Sequence, residues 1–148
     1  MTGADRGPEA PGGVAARAAG DEAPGAPAEN AAGGRPGPVV AVVTDLFFVA
    51  RLRETARLAG VDLVFARTPE EAEARAAGAR FFIVDLTASS DHARVLAAAR
   101  AAGAPVLGFT THALARRTQP WHAACARVVT KETLTAELPT LLREGVSP

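Results

Sequence analysis

The sequence predicts a three-layer α/β sandwich built on a five-stranded parallel sheet in the order 2-1-3-4-5. Short runs of consecutive apolar residues alternate five times with Ala-rich amphipathic stretches. The runs lack polar–apolar alternation, as befits strands covered on both faces by helices. Gly or Pro punctuates the junctions. Crossovers of about 10 to 15 residues force neighbouring strands parallel, and right-handed connections leave few topologies; with five strands the favoured one has its crevice between strands one and three.

The elements follow in order. Residues 39–43 (VVAVV) form the first strand, ending at Thr44 and Asp45. A helix runs from there to Ala59, with Leu52, Ala56 and Ala59 on one face and Gly60 as its stop. Residues 61–66 are the second strand. Thr68, Pro69, Glu70 and Glu71 spell a capping box that opens a second helix, ended by Gly78. The third strand, 81–86, lies in RFFIVDLT, where four large apolar residues stop abruptly at Asp85. A polar loop leads to a helix over 91–102, ended by Gly103, and 104–110 is the fourth strand. Residues 111–124 form a weaker helix that Pro120 should kink or split between Arg117 and Trp121. Residues 127–130 are the fifth strand. The last helix spans 133–143 with Leu134, Leu138, Leu141 and Leu142 inward, and Pro139 is expected to break it into two turns.

Composition bounds the rest. A chain of 148 residues holds one ordinary domain, and 16 basic against 16 acidic residues give no field to draw in nucleic acid or an anionic membrane. Neither partner is expected. Residues 1–38 are dominated by Ala, Gly and Pro, with Val14 the only large aliphatic after Met1, and read as a disordered tail ahead of a folded domain over 39–148. A single cysteine, Cys125, excludes an internal disulfide. With no signal-peptide pattern and no run near 20 apolar residues, the expected location is the cytoplasm.

A parallel sheet puts the carboxyl ends of its strands on one edge. Asp45, Asp85 with Thr87, Thr110 with Thr111, and Thr130 with Lys131 all fall there, so two acids, a hydroxyl and an ammonium are expected to converge. Lys131 is the only lysine among the basic residues. Each also has a plain structural role available: Asp45 as a helix cap, the threonines as turn residues. A carboxylate ending a buried strand, however, costs desolvation unless partnered, which singles out Asp85.

At these positions the chain resembles the receiver domains of two-component response regulators, chemotaxis-regulator-like and of flavodoxin-like (βα)5 fold, over residues 39–142. The resemblance implies Asp85 as phosphoacceptor, Thr110 as switch hydroxyl and Lys131 as the lysine of the site. It also implies Asp45, Asp85 and the Thr87 backbone carbonyl as ligands to Mg²⁺, an ion that takes oxygen donors and keeps several waters. Metal and ammonium would neutralise the transferring group while Asp85 attacks. Thr44 replaces the first of the family's paired acids, Glu132 the proline after the lysine, and Ala88 and Ser89 the methionine-proline after the acceptor. Val128 stands where active relatives place an aromatic. Phe47 and Phe48 are expected at the mouth of the site. These departures describe a pseudo-receiver, a stand-alone signalling domain working through protein contacts with phosphorylation weakened or lost; an active Mg²⁺-dependent phosphoryl acceptor is the alternative. The implied partner is a histidine kinase or a downstream signalling protein, with the chain a monomer or weak homodimer.

Other chemistries of this fold class find less support. The first turn, Thr44 to Phe47, has no Gly to let backbone amides approach a phosphate, as a nucleotide or flavin site requires. Neither a DxHxxG loop nor a GxSxG elbow occurs, and His92, His112 and His122 lack metal-ligand spacing. An independent enzyme or small-molecule binder is the weakest reading. Trp121 is expected in the core, Arg116 and Arg117 on a solvated helix face, and Cys125 as a small buried residue.

Overall fold

The computed structural model describes residues 36–146. It contains strands β1 (Val39–Val42), β2 (Leu63–Phe65), β3 (Phe81–Asp85), β4 (Val106–Thr110) and β5 (Arg127–Thr130). The helices are α1 (Leu46–Ala59), α2 (Pro69–Ala76), α3 (His92–Ala101), α4 (Ala115–His122) and α5 (Lys131–Glu144), with a single 3-10 turn, His112–Leu114, before α4. The five strands make one parallel sheet in the order β2-β1-β3-β4-β5, as expected. Of the tail expected over residues 1–38, residues 1–35 lie outside the described residues.

The pleat divides the core. Val39, Ala41, Val43, Phe81, Ile83, Leu107 and Phe109 point to the side covered by α1 and α5, where they meet Phe48, Leu52, Ala56, Leu134, Leu138, Leu141 and Leu142. Val40, Val42, Phe82, Val84 and Val106 point the other way, onto Ala72 and Ala76 of α2 and Val95, Leu96 and Ala99 of α3. Successive side chains of a strand thus feed opposite cores, which is why the apolar runs are unbroken.

Caps set the helix ends. The Thr68 hydroxyl accepts from Glu71 N at 3.1 Å, and the Glu71 carboxylate turns back to accept from Arg67 N at 2.7 Å. Asp91 caps α3 through Arg94 N, and Thr130 caps α5 through Thr133 N. Gly60 ends α1 in the left-handed region at φ 70°, a conformation a side chain would strain. The Arg94 guanidinium bridges Glu70 and Glu73, tying α2 to α3. Buried Arg80 donates to the carbonyls of Leu142 and Arg143, both at 2.6 Å, and so fastens the start of β3 to the last turn of α5.

Several expectations about elements are corrected. The second strand is shorter than 61–66, and α5, capped by Thr130, begins at Lys131, two residues before the expected start at Thr133. Pro139 does not break α5. Its missing donor and ring clash cost about 3 kcal/mol, whereas burying each of the four leucines that flank it contributes roughly 1.5–3 kcal/mol. Nor does Pro120 split α4; the discontinuity falls earlier, where the 3-10 turn capped by Thr111 passes into Ala115, and α4 ends two residues after the proline. Cys125 is half-buried rather than buried, and burial pushes its thiol pKa up to about 11. It sits against Gly108 of β4, where an added Cβ would lie 2.9 Å from both Cys125 Sγ and Leu86 Cδ1.

Candidate functional site

The carboxyl edge of the sheet presents the candidate residues on adjacent strand ends. Val42 pairs with Val84, Asp85 with Phe109 and Thr110 with Thr130, so β1, β3, β4 and β5 finish nearly level.

Asp45, three residues past β1, is the N-cap of α1. Its Oδ1 accepts from Phe47 N at 3.0 Å and Phe48 N at 3.1 Å, and its Oδ2 accepts from Lys131 Nζ at 3.0 Å. Lys131 is the first residue of α5, and its ammonium also stands 5.2 Å from the Phe48 ring centroid, a cation–π distance. The Lys131 hydrogen bond, with the Phe48 amide next, holds the Asp45 carboxyl below its ordinary range. Both side chains are more than a third exposed, so this is a surface-type pair whose worth lies in position rather than strength.

Asp85 closes β3 and is 8% exposed. Its Oδ1 accepts from Thr87 N at 2.9 Å and from the Thr87 hydroxyl at 2.6 Å, an Asx-type turn that folds the loop after the strand over the carboxylate. No hydrogen bond from the described residues reaches Oδ2. The backbone carbonyl of Asp85 accepts from buried His92 Nε2 at 3.1 Å, which fixes the proton of that imidazole on Nε2. Trp121 stands edge-on to the His92 ring, with centroids 5.5 Å apart.

Thr110 is buried at the end of β4. Its Oγ1 accepts from Thr118 Oγ1 at 3.0 Å, and Thr118 Oγ1 lies 2.9 Å from His122 Nε2. The switch-position hydroxyl is thus tied to α4 through two polar side chains. The structure therefore brings Asp45 to Lys131, Asp85 to Thr87 and Thr110 to Thr118, three separate pairings along one edge. Among the described residues no three His, Cys, Asp or Glu side chains group as a metal cluster.

The aromatic pair behaves differently from expectation. Phe48 is buried, packed on Phe109 with ring centroids 5.0 Å apart, because it falls on the core face of α1 with Leu52 and Ala56. Phe47, one position round, is 90% exposed. Of the two rings Phe47 alone is exposed, while Phe48 lines the same groove as Asp45 and Lys131 from the core side. Val128 is half-buried, packed against the core that α2 and α3 cover. The sequence reading passed over His92, Thr118 and His122 as a connected set. The i,i+4 spacing of Thr118 and His122 was a usable signal, but the turn that aims them at β4 was not.

No protein-family model matches the chain, and no curated protein does. Solved structures do. A receiver-domain protein from Clostridium thermocellum is 10% identical, with a TM-score of 0.58 over 72% of this chain and 91% of that one. The chemotaxis response regulator CheY4 of Vibrio cholerae is 23% identical, with a TM-score of 0.55 over 72% of this chain and 98% of that one. A two-component response regulator/GGDEF protein aligns at 19% identity and a TM-score of 0.59 over 73% of this chain, which spans 46% of that longer one. A de novo designed Rossmann 2x3 protein is equally similar, at 19% identity and a TM-score of 0.57 over 76% of this chain and 94% of the design. The domain is receiver-like in fold. That a designed protein shares the likeness shows that architecture alone does not carry the activity.

Proposed function

We propose that this chain is a receiver-like signalling module that acts through protein contacts, with phosphoryl transfer weakened or lost. The observation that carries this reading is the Asp45–Lys131 bond. The ammonium that the receiver resemblance would set beside the acceptor carboxylate is engaged by the other acid, while Thr87 covers one oxygen of Asp85. The arrangement fits a Mg²⁺ ion poorly. Both oxygens of Asp45 already have partners, one of them a cation, and Thr44 supplies no second carboxylate at this turn. A metal there would have to displace Lys131 as well as shed its own water. The receptive feature left is a folded surface with a protein partner, a kinase or a downstream component, as its natural ligand.

A second reading has one observation in its favour. Asp85 Oδ2 accepts nothing from the described residues and is a free lone-pair donor at the end of a buried strand, which suits a nucleophile. The two readings separate on incubation with Mg²⁺ and a small acyl-phosphate donor, followed by intact mass. The expected outcome is no phosphoryl adduct. An adduct that forms on the wild-type chain and is missing from Asp85→Asn would defeat the proposal and establish the active acceptor.

A further inference from the structure

The exposed large apolar side chains among the described residues all lie on α1: Leu46, Phe47 and Leu58. Phe47 and Leu58 are 11 positions apart, three helical turns or about 16 Å along the axis, and both line a groove of about 940 Å³ between α1 and α5. Apart from buried Phe48, the α1 residues lining that groove are Phe47, Ala50, Arg51, Glu54, Thr55 and Leu58. They share one face of the helix, about 130° round from the buried Phe48–Leu52–Ala56 face.

The order of that stripe is self-complementary. Read forward it runs aromatic, small, base, acid, small, aliphatic. Reversed about the point midway between Arg51 and Glu54, Phe47 meets Leu58, Ala50 meets Thr55, and Arg51 meets Glu54. A two-fold axis at that point would satisfy the rule of an isologous interface, in which residue i touches j and j touches i, with both charges matched twice. Arg51 makes no bond among the described residues. Glu54 is held by Arg57 through both carboxylate oxygens, at 3.1 and 2.7 Å, in a pair exposed at both ends, so Arg51 of a second copy would have to share or displace that contact.

We infer that α1 is the contact face for a second copy of this chain, packed antiparallel through the Phe47–Leu58 stripe. This goes beyond the signalling reading above and does not depend on whether Asp85 reacts. Three turns of helix bury less than the roughly 1,600 Å² of a standard interface, so pairing is reversible and concentration-dependent.

Sedimentation of the full chain over the micromolar to millimolar range tests it. The wild-type chain is expected to pass from monomer to dimer. Arg51→Glu and Glu54→Arg, each setting like charges opposite one another twice, should each raise the dissociation constant about tenfold or more. The double variant restores the opposite charges and should return it to near the wild-type value; Phe47→Ser should abolish pairing. All three positions are exposed, so the fold is expected to survive. A chain that stays monomeric, a dimer indifferent to Arg51→Glu or Phe47→Ser, or a double variant no better than its parents would overturn the inference. A monomer would return the stripe to an unlike partner.

Discussion

Lys131 and Asp45 are 86 positions apart and meet at 3.0 Å. Because Asp45 is held below its ordinary carboxyl range, mainly by Lys131, its contribution to stability is present above the unfolded value of 3.8 and is lost as pH falls through the folded one. Thermal melts of wild type and Asp45→Asn should therefore differ most near neutral pH and converge in acid below 3.8. A gap that persists in acid would mean that Asp45 acts by geometry alone. At this scale the sequence placed the polar residues well and their contacts less well. Asp45 as a helix cap followed from its position ahead of an apolar-periodic stretch. Which acid Lys131 would seek did not, because the two carboxylates follow β1 and β3, neither of them adjacent to β5 in the sheet. Phe47 and Phe48 differ by one step of 100°, and that step decides exposed from buried.

Elements were legible where a local rule suffices. The capping box at Thr68 is in place, and Thr68→Ala should cost about 1 kcal/mol in denaturant unfolding with little effect on Asp85 or Lys131, because the Thr68 hydroxyl bonds only within its own turn, after β2. The two prolines were misjudged for a shared reason: a local penalty was not weighed against tertiary burial. In α5 four leucines outweigh one missing donor. In α4 the helix is so short that Pro120 costs one bond near its end, and half-buried Trp121 holds the turn against His92. The 3-10 turn at His112 was not legible, since a Thr cap before a helix looks the same whichever ladder follows.

For the whole molecule, the five-fold alternation, the punctuation and the lack of polar alternation in the strands were sufficient for the topology. Chirality and loop length then leave little freedom. What pattern could not supply were the ties between distant elements: Arg80 on the carbonyls of α5, and Arg94 between α2 and α3. The packing of Cys125 against Gly108 has a practical corollary. A thiol whose pKa is pushed up to about 11 carries almost no thiolate at neutral pH. Alkylation by a maleimide or iodoacetamide should thus proceed only through molecules in which β5 or the end of α4 has swung away from β4. The labelling rate becomes a clock for that opening. It should quicken in low denaturant before global unfolding, as expected of a sub-global fluctuation; labelling at the rate of a free peptide thiol in native buffer would show that this corner of the sheet is already open.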